Sequence, residues 1–332
     1  MSFSNVGIIG AGSWGTALAL LLLQGNKIPV TLWGHDEEHV RGIAERRENS
    51  PYLPGIAVPD SLRLTAELGD LSACDLLLLV TPSKAIREVA ARLSAGGVRD
   101  GAVLLSCTKG VERSSGLRMS EVIAEHFPSH PLAVLSGPSH AEEVARKMPT
   151  CVVLGCGDTA IAQKLQRAFT APYFRAYTSD DIAGVELGGA LKNIFALAAG
   201  ASDGLGLGDN AKAAMVTRAL VELSRLGTAL GGKRDTFMGL SGVGDLMVTC
   251  FSKHSRNRAV GERLGRGERL ADIVASMQMV AEGVPTTYSA FECARKSGVE
   301  TPIIDQMKAI LDGSISPAAA MSRLLGRDPK PE

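Results

Sequence analysis

The stretch that most restricts the fold of this chain is a short apolar run that ends in three closely spaced glycines. Residues 6–9 are Val-Gly-Ile-Ile, and Gly10, Gly12 and Gly15 follow before the helix-forming run 16–21. Gly10 can adopt the backbone angles of a tight turn, and Gly15 allows the helix to pack close to the strand. A strand, a glycine turn and a helix in this order predict the start of a parallel α/β sheet.

The same turn predicts a dinucleotide-binding site, because G-x-G-x-x-G spacing between a strand and a helix is typical of such sites. Gly12 has no side chain to block a pyrophosphate, and the amides and positive dipole end of the helix favour its phosphates. We expect Ser13 and Trp14 to lie over the cofactor. A tight strand-to-helix turn without a ligand is the alternative.

Length and composition limit the function classes. The 332 residues are enough for about two domains, and 45% apolar residues with 37 glycines fit a compact α/β protein. Aromatic residues make up only 4%, and 35 basic residues balance 35 acidic ones. These values argue against stacking on nucleic acid and against a long-range field toward DNA or an anionic membrane. Any phosphate recognition must be local.

The cysteines form no C-x-x-C pair and no zinc-type spacing, which predicts free thiols in a reducing compartment. The chain start lacks the basic and apolar regions of a secretion signal, and the longest apolar runs, 17–23 and 76–80, are too short to span a bilayer. We therefore expect a cytoplasmic protein without a metal. The six cysteines are Cys74, Cys107, Cys151, Cys156, Cys250 and Cys293.

Further apolar runs of strand length predict a doubly wound sheet. They cover residues 29–33, 75–80, 102–106, 131–135, 151–155 and 173–177. The loops 81–83, 107–110 and 136–143 follow three of these runs at their carboxyl ends, where such sheets bind ligands. From Asp180 the pattern becomes helical. We expect a Rossmann-type α/β domain over 1–180 and an all-α domain over 181–332.

The residues after the second predicted strand bear on the adenine ribose of the cofactor. Asp36 comes two places later than an acid that binds the ribose hydroxyls would. His35, with Arg41 or Arg46 nearby, could instead accept a 2′-phosphate. This arrangement slightly favours NADP over NAD. A solvated loop histidine is the alternative for His35.

Three groups of polar residues in the helical half could carry chemistry. Lys192 and Asn193 form a polar pair on an apolar helix, where a desolvated lysine suits a general base. An equally weighted alternative is a surface lysine whose aliphatic chain packs against the helix while its ammonium group reaches solvent. Asp245 could orient that lysine or cap a helix. Residues 255–258, Ser-Arg-Asn-Arg, could bind a phosphate monoester or form a solvated basic turn.

Seven motifs in this order resemble the NAD(P)-dependent glycerol-3-phosphate dehydrogenases, close to the bacterial type, over nearly the whole chain. They are G-A-G-S-W-G-T-A-L-A from Gly10, T-K-G around Lys109, S-G-P-S from Ser136, A-L-K-N around Lys192, G-D-L-x-x-T-C from Gly244, S-R-N-R from Ser255 and A-E-G-V around Glu282. The resemblance implies an active site between the two domains, and it favours Lys192 as the base.

The resemblance implies that Lys192 takes the proton of the C2 hydroxyl of glycerol 3-phosphate while hydride passes to NAD or NADP, and returns it when dihydroxyacetone phosphate is reduced. Around the reacting carbon it places Lys109, Asn193, Asp245 and Thr249. It completes the substrate side with Gly137, Ser139, Ser255, Arg256 and Asn257. Its cofactor positions are Gly10, Gly12, Ser13, Trp14, Gly15, His35, Lys109, Ala141, Arg256, Val280 and Glu282.

The resemblance further implies a cytoplasmic homodimer that supplies glycerol 3-phosphate for phospholipid synthesis, without a metal, a nucleic acid or membrane insertion. Two residues depart from the family pattern. His140 stands where Phe is expected in S-G-P-S-F-A, and His35 stands where many relatives carry Arg.

Two rival functions are left open. One is another dehydrogenase with a helical second domain, but the chain lacks the Ser-His-Asn constellation of the 3-hydroxyacyl-CoA type and matches the 6-phosphogluconate type only at Lys192 and Asn193. The other is a non-catalytic NAD(P)-sensing module, which would bind the cofactor without turnover.

If His35 selects the cofactor, His35→Asp should move the ratio of kcat/KM for NADPH to that for NADH toward NADH, since a carboxylate repels the 2′-phosphate. Steady-state rates with each cofactor give this ratio. His130→Asp makes the same charge change at a position outside the seven motifs and should leave it unaltered. An unchanged ratio in His35→Asp would mean that another residue selects the cofactor.

Overall fold

The computed structural model describes residues 3–113, 115–277 and 279–329. The chain packs as two compact units. The first contains the residues up to Lys109 together with Leu117–Glu186, and the second contains Gly110–Gly116 together with the residues from Leu187 onward.

The segment Gly110–Gly116 joins the second unit because its backbone bonds there. The Ser289 hydroxyl donates a hydrogen bond to the carbonyl of Val111 at 3.1 Å. Along the chain, the change between the two packing units falls after Glu186. The division into domains over 1–180 and 181–332 stays a prediction.

The first unit is built on one eight-stranded sheet with the order β3-β2-β1-β4-β5-β6-β7-β8. All neighbouring strands are parallel except β6 and β7, which pair antiparallel. The apolar runs of the sequence did not predict strand β3, because it has only three residues and one of them is charged. The strands are β1 Val6–Ile9, β2 Val30–Trp33, β3 Arg63–Thr65, β4 Leu76–Leu79, β5 Val103–Ser106, β6 Leu132–Ser136, β7 Thr150–Cys156 and β8 Phe174–Ser179.

Helices cover both faces of this sheet, as expected for parallel strands that are apolar throughout. One core contains the alternate side chains Ile8 and Leu78 with the first, fifth and sixth helices. The other contains Ile9 and Leu79 with the third and fourth helices. The helices are α1 Ser13–Leu20, α2 Glu37–Arg46, α3 Ile86–Ala95, α4 Met119–His126, α5 Ala141–Ala145 and α6 Thr159–Phe169. The predicted Rossmann-type sheet is thereby confirmed.

The second unit is helical, which confirms the predicted all-α half. Within the described ranges its helices are α7 Ile182–Gly204, α8 Gly208–Ala229, α9 Arg234–Phe237, α10 Asp245–Phe251, α11 Arg256–Gly265, α12 Leu270–Ala275, α13 Gly283–Lys296, α14 Pro302–Leu311 and α15 Pro317–Leu325. The first turn of α7 belongs to the first unit.

Helix α7 is long and apolar enough to cross a membrane by length and composition, although the uninterrupted apolar runs of the sequence are shorter. Of its most apolar window, 83% is buried inside the protein. Its side chains, including Leu191 and Phe195, lie in the core of the second unit. The apolar character of α7 therefore reflects its central position in that core.

Glycines let α7 and α11 touch through their backbones. An ideal Cβ on Gly200 would lie 1.9 Å from the carbonyl oxygen of Arg258, and one on Gly261 would lie 1.9 Å from that of Leu197. Gly204 meets Glu262 in the same way, at 2.1 Å. No side chain fits at these positions, so the two helices cross closer than side-chain packing would allow.

Gly261→Ala should lower the free energy of unfolding by about 3 kcal/mol, because the new methyl group must push α11 away from α7. Urea unfolding followed by circular dichroism measures the change. Gly157→Ala is the matched control: it adds the same methyl group where nothing lies within 4 Å, and it should change stability by less than about 0.5 kcal/mol. Equal stability of the two variants would contradict a tight crossing.

Candidate active site

The glycine turn after β1 is shaped by close backbone contacts. Gly10 has φ +127° and donates its N–H to the carbonyl of Trp33 at 2.9 Å. A Cβ on Gly10 would lie 2.7 Å from the Val80 carbonyl oxygen, and one on Gly15 would lie 1.9 Å from the carbonyl oxygen of Gly10. Helix α1 therefore begins directly beside the end of β1.

Gly12 differs from these two glycines because it faces open space. Nothing lies within 4 Å of the Cβ that it lacks, and among the residues that the structure describes no side chain caps the start of α1. The first amides of α1 thus remain available as donors. Ser13 is buried and Trp14 half-buried in this first turn. An open, uncapped helix start fits the pyrophosphate of a dinucleotide.

After β2, Asp36 is bound to the backbone of α2, whereas His35 is exposed to solvent. The carboxylate of Asp36 caps α2 by accepting hydrogen bonds from the N–H groups of Glu38 at 3.0 Å and His39 at 3.2 Å. His35 is exposed just before this cap. The acid that could have bound ribose hydroxyls is therefore engaged with the helix, and the imidazole faces solvent.

Three predicted substrate residues meet in the first unit, in the loops after β5 and β6. The Lys109 Nζ donates to the carbonyl of Gly137 at 2.9 Å, and the Ser139 hydroxyl donates to the same oxygen at 3.0 Å. Gly137 has φ +131°, a backbone conformation that residues with a side chain rarely adopt. Ala141 begins α5 and is buried in the core that contains α1. These residues share the carboxyl edge of the sheet with the glycine turn.

The second unit brings Lys192, Asp245 and Thr249 together. Lys192 Nζ lies 2.9 Å from Asp245 Oδ1 and donates to Thr249 Oγ1 at 2.5 Å. The Thr249 hydroxyl in turn donates to the main-chain carbonyl of Asp245 at 2.6 Å. Lys192 is 6% exposed and Asp245 1%. Lys192 is thus held inside the unit rather than at its surface.

Two asparagines link the motif residues around this group. Asn257 Nδ2 donates to Asn193 Oδ1 at 2.9 Å, and Asn257 Oδ1 accepts from the N–H of Gly283 at 2.9 Å. The amide thereby ties α7 and α11 to the start of α13, next to Glu282. Sequence reasoning placed Asn257 at the substrate phosphate and did not foresee this bridge, because a pattern of residue types does not show which helices meet.

At the start of α11, one motif residue caps the helix and two others carry positive charge. Ser255 Oγ accepts from the N–H of Arg258 and so caps the helix at 3.2 Å. Arg258 is held by Asp203, whose Oδ2 accepts from its Nε at 2.7 Å. Arg256 is exposed in the first turn of α11. Val280 is half-buried before α13.

Neither metal nor thiol chemistry is indicated at these residues. Among the described residues, no group of three or more His, Cys, Asp or Glu side chains could hold a metal ion. Cys250 follows Thr249, and burial raises the pKa of its thiol to about 12, which makes it a poor nucleophile. Cys107 precedes Lys109 by two residues, and burial likewise raises its pKa.

Comparison with known proteins identifies the family of this chain. The models of the N-terminus and the C-terminus of NAD-dependent glycerol-3-phosphate dehydrogenase match residues 5–162 and 181–322. The glycerol-3-phosphate dehydrogenase (NAD(P)+) of Syntrophotalea carbinolica is 47% identical, covering 99% of this chain and 99% of that protein. The protein of the same name from Geobacter sulfurreducens is 47% identical, covering 99% and 98%.

A solved structure agrees with these relatives. The glycerol-3-phosphate dehydrogenase of Coxiella burnetii matches with a TM-score of 0.94 at 38% identity, covering 98% of this chain and 99% of that chain. The fold and these matches define an oxidoreductase that uses NAD(P). The chain belongs to the NAD-dependent glycerol-3-phosphate dehydrogenase family.

Lys192→Arg should lower kcat by about 10²–10⁴-fold, because an arginine keeps the cation beside Asp245 but does not give up its proton at neutral pH. Initial rates at saturating substrate and a thermal unfolding curve should be measured together. Lys212→Arg is the matched control, since Lys212 forms a similarly buried pair with Asp203 at 2.8 Å. A Lys192→Arg enzyme with normal turnover would remove Lys192 from the role of base.

Proposed function

We propose that the chain catalyses the reversible oxidation of glycerol 3-phosphate at C2 to dihydroxyacetone phosphate, with Lys192 as the group that takes and returns the hydroxyl proton. The observation that carries the proposal is the buried contact of Lys192 with Asp245 and Thr249 in a member of this family. A lysine enclosed in this way is in a defined position and is shielded from bulk water, as a general base requires.

The residues around Lys192 support a proton transfer at its Nζ. Because Thr249 donates its own hydrogen to a carbonyl, its oxygen is directed toward Nζ as an acceptor. Asp245 can accept a hydrogen bond from the lysine in either protonation state. Both contacts therefore hold Nζ in place while it accepts the C2 proton or gives it to the alkoxide formed from dihydroxyacetone phosphate. When bound, NAD(P) would supply or accept the hydride.

The start of α11 supports recognition of the substrate phosphate. The helix has ten residues and its positive dipole end lies at Ser255 and Arg256, where an anion is favoured. Arg256 supplies a guanidinium that can bind phosphate oxygens in pairs. The Ser255 oxygen accepts from the backbone, so its hydroxyl hydrogen can point to a phosphate oxygen. The bridge through Asn257 holds this helix start beside Asn193.

In the first unit, we propose that the turn from Gly10 to Gly15 holds the pyrophosphate and that Lys109, Gly137 and Ser139 face the substrate. The engagement of Asp36 as a cap and the exposure of His35 support a preference for NADP. A cytoplasmic location is supported by six free cysteines. The homodimer and the supply of phospholipid synthesis stay predictions.

The reaction is tested by the absorbance of reduced nicotinamide, with purified protein, dihydroxyacetone phosphate, and NADPH or NADH in separate cuvettes. We expect oxidation that depends on dihydroxyacetone phosphate, faster with NADPH. Binding of both cofactors without oxidation would overturn the proposal in favour of a sensing module.

Arg256→Ala should raise KM for dihydroxyacetone phosphate by about tenfold or more, since a charged hydrogen bond to the phosphate is lost. Its effect on the unphosphorylated analogue dihydroxyacetone should be small. Arg266→Ala removes the same charge at the other end of α11, where the arginine pairs with Glu262, and should alter neither value. Equal effects of Arg256→Ala on both substrates would rule out this phosphate contact.

A further inference from the structure

Asn49 is a fully buried polar residue that neither the motifs nor the proposed reaction uses. It follows α2 in a proline-containing loop, and its exposed fraction is 0%. Its Nδ2 donates to the carbonyl of Ala11 at 2.9 Å and to the Thr16 hydroxyl at 2.8 Å. Its Oδ1 lies 2.9 Å from His39 Nε2. The amide group thus reaches the glycine turn from 38 residues further along the chain.

The hydrogen bond to the carbonyl of Ala11 affects the direction of the next backbone donor, the N–H of Gly12. Ala11 lies between Gly10 and Gly12, two residues that leave the backbone free to adopt several conformations. In a planar trans peptide, the carbonyl of one residue and the N–H of the next point in opposite directions. A hydrogen bond that holds the carbonyl of Ala11 toward Asn49 therefore directs the N–H of Gly12 away from it.

Asn49 can act as a fixed point because its own surroundings are well ordered by contacts. Its main-chain carbonyl accepts from the N–H groups of Tyr52 at 3.1 Å and Leu53 at 2.7 Å. Leu53 is 1% exposed, and the ring of Tyr52 packs edge-on against His39, with centroids 5.1 Å apart. His39 belongs to α2, so the amide is held between α1 and α2.

We propose that Asn49 is a positioning residue of the pyrophosphate-binding turn: by holding the carbonyl of Ala11, it keeps the Gly12 N–H directed for the cofactor. Without this bond the Ala11–Gly12 peptide can rotate, and part of the binding energy of the cofactor is spent on ordering it. The inference rests on the proposed function in one respect only, the assignment of the pyrophosphate to this turn.

The test compares ligands with and without a pyrophosphate on the full chain. Asn49→Leu removes all three side-chain hydrogen bonds at similar volume. Calorimetric titration should show the Kd of ADP-ribose raised about tenfold or more, equal to the loss of roughly one hydrogen bond, and the Kd of NADPH raised by the same factor. The Kd of 2′-AMP, which carries no phosphate at its 5′ position, should change less than twofold, as should KM for dihydroxyacetone phosphate at saturating NADPH.

Two further variants separate positioning from stability. Asn49→Ser is smaller and polar, and provides a folded variant if Asn49→Leu does not fold; it should weaken ADP-ribose in the same selective way. Val122→Ala opens a cavity on the other face of the sheet, where Val122 is fully buried, and should lower the unfolding temperature with ADP-ribose binding unchanged.

Unchanged ADP-ribose binding in a folded Asn49 variant would overturn the inference, and so would equal weakening of 2′-AMP. Weakening of ADP-ribose by Val122→Ala would overturn it as well, because general destabilisation would then explain the effect. If the unmodified protein does not bind ADP-ribose, the assignment of the turn under the proposed function fails instead.

Discussion

The backbone contact between α7 and α11 is the constraint on which the geometry of the second unit depends. Glycines on both helices, among them Gly200 and Gly261, remove the side chains that would separate them. The crossing brings the first turn of α11 to the middle of α7, so that Asn257 reaches Asn193 at 2.9 Å. Helix packing therefore holds the helix start that we propose for the substrate phosphate in a fixed position relative to the candidate base.

The buried lysines Lys192 and Lys212 of this unit are each paired with a carboxylate, because an unpaired buried charge is costly. Removing Lys192 and Asp245 from water incurs a desolvation penalty that their attraction repays only with good geometry. A second pair, Lys212 with Asp203, repeats this arrangement at 2.8 Å, and Asp203 also holds Arg258. Such pairs hold the charged groups in defined positions, as the proton transfer proposed for Lys192 requires.

In the first unit, the candidate binding residues are held in position by hydrogen bonds to loops rather than by helix packing. Its candidate ligand contacts come from loops at the carboxyl edge of a rigid sheet, and each loop is held from elsewhere. The carbonyl of Gly137 accepts a hydrogen bond from Lys109 of the preceding loop, and the carbonyl of Ala11 accepts one from Asn49. Glycine-containing turns can approach a ligand closely, but they need such external contacts to be preorganised.

The sequence by itself determined the fold class, the glycine turn and the residues that could carry chemistry, because periodicity, turn residues and short motifs are local properties of a chain. It did not predict β3, whose three residues become a strand only by pairing with β2 at the edge of the sheet. It also did not predict that residues 110–116 pack with the second unit. Only the tertiary structure decided that Asp245 meets Lys192, that Asn257 bridges three helices and that Asn49 holds the glycine turn. These contacts join residues tens of positions apart, and no local pattern encodes which distant side chains come together.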